Sequence, residues 1–160
     1  MRLILVLLAA SLYGDEIAPP IEGLQLTDLS DSFDARHFGR RHEAIDIMQP
    51  RGTPVHAVAT GTIAKLFQSK AGGITIYQFD AFGAYCYYYA HLDRYAEGLQ
   101  DGSKVEKGQV IGYVGSTGNA AATAPHLHFA VSKLGPEKQW WRSIPVNPYR
   151  GLVEAVRQAR

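Results

Sequence analysis

The chain has 160 residues, near one domain's worth, with 46% hydrophobic and 19% charged residues. That apolar content supports one real core and excludes a disordered chain. Sixteen basic and fifteen acidic residues leave a net charge of +1, which excludes a nucleic-acid binder working by bulk charge.

The N-terminus reads MRLILVLLAASLYGDE. Arg2, an apolar run over 3–10 and the small residues Ser11 and Gly14 predict a secretory signal peptide over 1–14. The run is too short to span a membrane. A buried N-terminal strand and an uncleaved anchor are the alternatives. Loss of Arg2 takes the basic residues from 16 to 15, equal to the acids, so the mature side-chain charge is zero. The polar stretch 15–24, with Pro19 and Pro20, reads as a linker. A single domain follows over 25–150.

Within that domain helical periodicity is nearly absent. Short alternating segments bounded by Gly, Pro, Asn or Asp predict strands at 44–48, 55–67 with a break at Gly61, 74–80, 84–91, 109–114 and 126–132. No segment between them is long and periodic enough for a crossover helix, so the sheet is expected to be antiparallel. The fold class is all-β, an antiparallel sheet or sandwich. Only the tail, 151–160, reads as a short amphipathic helix.

Three segments carry histidines in informative places. In His42-Glu43-Ala44-Ile45-Asp46-Ile47, strand alternation points Ile45 and Ile47 one way and Asp46 the other, with His42 following if the extended chain starts there. A surface histidine beside a backbone-bonded aspartate fits that spacing as well. In His126-Leu127-His128-Phe129-Ala130-Val131, the apolar face fixes the register and leaves both imidazoles on the opposite face. On a helix the two would diverge by about 200°. In Tyr85-Cys86-Tyr87-Tyr88-Tyr89-Ala90-His91-Leu92, alternation groups Tyr85, Tyr87, Tyr89 and His91, opposite Cys86, Tyr88, Ala90 and Leu92. One shared sheet face would gather His42, Asp46, His91, His126 and His128. That exceeds the three protein ligands of a catalytic zinc and leaves surplus histidines for acid–base or oxyanion work. Cys86 is the sole cysteine, so an internal disulfide and a cysteine-based zinc site are excluded.

From about Asp31 to Tyr149 the chain resembles the lysostaphin/LytM-type zinc metallopeptidases, which cleave peptide bonds in bacterial peptidoglycan. The resemblance runs through DSFDARHFGRRHEAIDI, PRGTPVHAVATGTI, AGGITIYQF, YYYAHLDRY, VEKGQVIGYVGSTGNA, PHLHFAV and VNPY. It implies that His42, Asp46 and His128 hold one zinc ion per chain and that His91 and His126 are catalytic without being ligands. It also implies an exported protein of the periplasm or cell envelope that acts on peptidoglycan peptides, with a regulatory protein as a further possible partner. Ala44 departs from the family's usual glycine. No His-Glu-x-x-His glutamate is present, so histidine is left as the base, and activity is expected to fall below about pH 6.

His37 and His56 have no ligand partner at useful spacing and read as solvated or structural. Arg36, Arg40 and Arg41 read as a solvated loop, as partners of a carboxylate within the fold, or as an attraction for stem-peptide carboxylates. Tyr85, Tyr87 and Tyr89 either line a groove or pack across strands. Trp140 and Trp141 read as a hydrophobic plug or a wall contact. Two rivals stand beside the enzyme: a catalytically silent activator or wall-binding protein of the same fold, and a sugar-phosphotransferase carrier domain. Asp46 and the signal peptide oppose the second.

Overall fold

The computed structural model describes residues 16–37 and 39–160. The segment read as a signal peptide lies outside them, as does the side chain of His37. In chain order the strands are β1 (Arg36–His37), β2 (Arg40–Arg41), β3 (Ile45–Met48), β4 (Pro54–His56), β5 (Gly61–Ser69), β6 (Gly73–Asp80), β7 (Tyr85–Tyr95), β8 (Lys104–Val105), β9 (Val110–Val114), β10 (His126–Lys133) and β11 (Ile144–Val146). One helix, α1 (Tyr149–Gln158), follows, and a 3-10 turn occupies Trp140–Arg142. Every strand pairing among the described residues is antiparallel, as the lack of a crossover helix requires.

Strands β1 and β2 form a separate hairpin. The main sheet runs β11-β10-β7-β6-β5-β8, with β3 beside β10 and β9 joining β4 to β7. The all-β architecture with a short C-terminal helix is therefore the one expected. Alternation holds on β10: Leu127, Phe129 and Val131 are buried, while His126, His128 and Ala130 are only half-buried. It holds on β3, where Ile45 and Ile47 enter the core and Asp46 faces the other way. These residues join Ile63, Ile76, Tyr87, Tyr89, Ile111 and Val114 in one apolar cluster.

Two expectations need correction. The stretch 15–24 is packed in its described part: Ile17, Ile21 and Leu24 are buried in the same core as Leu152, Ala155 and Val156 of α1. Backbone bonds from Ala18 N to Val58 O and from His56 N to Pro20 O tie it down. Its apolar residues outweigh its two prolines, because an amphipathic helix presenting positions i, i+3 and i+4 leaves a groove to fill.

The second correction concerns β7. Its alternation fails at the end of the tyrosine run. Ile76 pairs with Tyr89 but Ile74 pairs with Leu92, so two residues of β6 are matched by three of β7. This bulge places both Ala90 and His91 on one side and returns Leu92 to the core. His91 absorbs the change with φ of +59°. Tyr87 and Tyr89 are consequently core residues with no exposed surface, and Tyr88 is the tyrosine that reaches the groove.

Candidate active site

Strand β10 lies between β3 and β7, so His128 sits opposite Asp46 on one side and Ala90 on the other. His42 comes from the turn before β3, where Glu43 adopts φ of +55°. This reversal brings His42 Nε2 to 3.1 Å from Asp46 Oδ1 and 3.2 Å from His128 Nδ1. The third edge, His128 Nδ1 to Asp46 Oδ1, is 3.2 Å. Three ligand atoms thus form a near-equilateral triangle. Tetrahedral zinc with bonds of about 2.0–2.1 Å separates its ligands by about 3.3 Å, close to the spacing observed.

The donor set supports the same reading. His42 Nδ1 lies 3.1 Å from the Ser32 carbonyl oxygen, which can only accept, so that nitrogen carries the proton. In the neutral ring Nε2 then presents a lone pair to a carboxylate oxygen and a second imidazole nitrogen. Electron pairs converging in this way call for a cation between them. The carbonyl also fixes the ring as an outer partner of a metal ligand does.

The other two histidines follow a common plan. His91 Nδ1 donates to the Thr117 carbonyl at 2.8 Å, and His126 Nδ1 to the Ala124 carbonyl at 3.0 Å. Each bond leaves Nε2 unprotonated in the neutral ring. The two rings meet edge-on, centroids 4.9 Å apart, and His126 Nε2 is 3.7 Å from Asp46 Oδ1. Burial, opposed by the Thr117 bond, lowers the His91 pKa below the ordinary imidazole value. Burial also raises the Asp46 carboxyl, but the hydrogen bond and charge of His128, with His42 and His126, outweigh it and hold Asp46 below its ordinary value.

All five side chains line one groove of about 370 Å³, together with Tyr88, Ala90 and the wall Asn119–Ala121. The wall is stapled to the sheet. Asn119 N donates to Ala71 O at 2.9 Å, and Thr117 Oγ1 bonds both Leu92 O and Ile74 N. Gly118, at φ of +74°, lies so close that a Cβ would fall 2.3 Å from Ala71 O.

Residues 40–148 match the family model described as Peptidase family M23. The chain belongs to peptidase family M23. It is 39% identical over 114 residues to an L-Ala--D-Glu endopeptidase of Bacillus subtilis, an alignment covering 67% of this chain and 35% of that relative. The chain thus spans about a third of that relative's length. The lysostaphin catalytic domain of Staphylococcus simulans superimposes with a TM-score of 0.61 at 29% identity, covering 88% of this chain and 90% of that one. A zinc-containing peptidase from Vibrio cholerae gives a TM-score of 0.60 at 25% identity, covering 74% of this chain and 37% of the other. M23 membership removes the phosphotransferase-carrier alternative.

The M23 site contains residues that strand alternation does not reveal. Ser32 and Thr117 act on His42 and His91 through backbone carbonyls, which carry no residue-type signal. Tyr88 was obscured by the bulge, although Ala90, small and opposite His128, hints at which face of β7 borders the site. His56 lies elsewhere, bonded to the Gly108 carbonyl at 2.8 Å. Arg41 pairs with Asp34 and covers the Phe33 ring, and none of Arg36, Arg40 and Arg41 borders the groove. Cys86 is buried, and burial pushes its thiol up to about 12, which leaves it inert.

Proposed function

We propose that this M23 protein is an exported zinc metalloendopeptidase that hydrolyses peptide bonds in bacterial peptidoglycan. The observation that carries the reading is the triangle of His42, Asp46 and His128 atoms, with His126 Nε2 3.7 Å from Asp46 and the His91 ring 5.7 Å from that of His128. His42, Asp46 and His128 would hold a zinc ion, which would supply the Lewis acidity to polarise a peptide carbonyl and acidify water. Two neutral imidazoles and one carboxylate leave such a centre at net +1, which suits an electron-rich carbonyl oxygen.

The remaining work falls to the chain's own groups. His91 Nε2 and His126 Nε2 are the positions at which a proton is taken from the attacking water and returned to the leaving amine. The carbonyls of Thr117 and Ala124 keep both rings in the required tautomer. Protonated, either ring can also donate to the oxyanion of the tetrahedral intermediate. The signal-like segment read over 1–14 and the extracytoplasmic position of a wall substrate support export. Among the described residues no helix is long and apolar enough to cross a membrane.

The test combines metal analysis with digestion of purified cell walls. Wild-type protein should carry one zinc and release wall peptides, lose activity on chelation, and recover it with zinc. His128→Ala should lose the metal. His126→Ala should keep the metal and lose about 10²- to 10⁴-fold in turnover. Wild-type cleavage by both variants overturns the mechanism, and wild-type protein with zinc bound but no release from walls favours the silent activator.

A further inference from the structure

The groove leaves one conspicuous surface unexplained. Phe67 and Trp141 are 38% and 61% exposed, and both contact Trp140, at ring-centroid distances of 5.6 and 5.2 Å. Trp140 lies on Tyr77 at 4.1 Å, and Tyr77 on Tyr88 at 4.6 Å. Tyr88 in turn meets the His128 ring at 5.9 Å. An unbroken row of rings therefore leads from a site histidine across β7 and β6 to an exposed end over β5.

The row is held in place. Lys138 adopts φ of +52° two residues before Trp140 and donates through Nζ to Gly83 O. Ser143 Oγ donates to the Trp140 carbonyl at 3.0 Å. Glu43, His91 and Lys138 are the non-glycine residues with positive φ among those described. The first two shape the groove, and the third shapes the aromatic loop. Strained backbone concentrates where a surface is used, and contiguous exposed apolar surface on a small protein marks an interaction site.

We propose that this aromatic row docks the sugar rings of the peptidoglycan glycan strand, an inference that rests on the function proposed above. The argument is continuity. Tyr88 lines the groove and also begins the row, and a stem peptide seated in the groove is covalently tied to its glycan. The adjoining surface is where that polymer lies. Pyranose rings present flat C–H faces bordered by hydroxyl groups, which suit aromatic planes with polar edges. The row itself is aromatic; of the cations beside it, Lys65 is paired with Asp101 at 2.6 Å, while Lys138 donates to the Gly83 carbonyl and keeps its charge, as does Arg142. The continuous part of the surface is aromatic, which suits the C–H face of a sugar ring.

The test uses a convenient property of the chain. Its two tryptophans, Trp140 and Trp141, both belong to the row. Titrating the full protein with peptide-free N-acetylglucosamine oligomers should give a saturable change in tryptophan fluorescence. Trp141→Ala and Phe67→Ala, both at exposed positions, should each weaken that binding by about five- to tenfold. On intact walls Trp141→Ala should lose about fivefold more activity than on a glycan-free stem peptide. Sugar binding by a protein that cleaves neither walls nor peptides would sink the enzyme reading and leave this one standing. No fluorescence response to the oligomers, in a protein that digests walls, overturns the proposal. So does an equal loss on walls and on free peptide, which would make the row a peptide subsite.

Discussion

At the residue scale, the site depends on which nitrogen of each histidine carries the proton. The Thr117 carbonyl and burial act on His91 in opposite senses, and burial wins, so the neutral ring persists to lower pH than in water. Protonation removes the lone pair on Nε2, so activity is lost as pH falls and not as it rises. We expect kcat/KM to be level near neutrality and to drop on the acid side with a midpoint below the ordinary imidazole value of about 6.5. A midpoint at or above that value, in a rate profile between pH 4.5 and 8, would contradict the neutral-base role. Stability moves in the same direction: the unfolded chain binds the His91 proton more readily, so acid also favours unfolding. Asp46, His126 and His128 were legible because strand alternation fixes their face, whereas His42 comes from a turn and His91 reaches the groove only through the bulge, so those two were signalled by the family resemblance and not by spacing. Ser32 and Thr117 were not, because any residue supplies a carbonyl and only the fold decides where it points.

At the element scale, β10 and β7 show what alternation can and cannot carry. Burial of Leu127, Phe129 and Val131 dictates the register of β10, so the positions of His126 and His128 follow from the sequence. On β7 the tyrosine run offers apolar bulk on both faces, and alternation alone cannot locate an extra residue. What decides the face of Tyr89 is a buried polar network. Its hydroxyl donates to Gln78 Oε1 at 2.8 Å and accepts from Val58 N at 3.1 Å, while Gln78 Nε2 donates to the Ala59 carbonyl at 2.6 Å. These bonds anchor β7 immediately before the bulge. Tyr89→Phe removes one group and leaves two buried partners short, so denaturant melts should show a loss of about 1–3 kcal/mol. A change below about 0.5 kcal/mol would mean that the network is dispensable.

At the scale of the whole molecule, the sheet gathers the candidate metal-holding side chains from segments more than eighty positions apart: His42 and His128 touch only because β3 and β10 are neighbours. The antiparallel all-β plan was readable from the short, glycine-bounded segments. The packing of 16–24 against α1 was not, because its few apolar residues are spaced between prolines and acids, and a partner helix must exist before they have anything to bury against. The left-handed backbone at His91 has a further bearing on the protein as a whole. A side chain bearing Cβ is held there against its own preference, so the molecule gives up stability at the point where the proposed base sits. Replacement by glycine should relax the chain, whereas replacement by alanine should keep the penalty. Both variants lose the Thr117 bond and the imidazole, so His91→Gly is expected to unfold later than His91→Ala by about 1 kcal/mol, a difference measurable by paired thermal melts. Equal melting would remove the trade-off. If the difference holds, selection for thermal robustness alone would drive this position toward glycine, and only selection for turnover would keep the histidine.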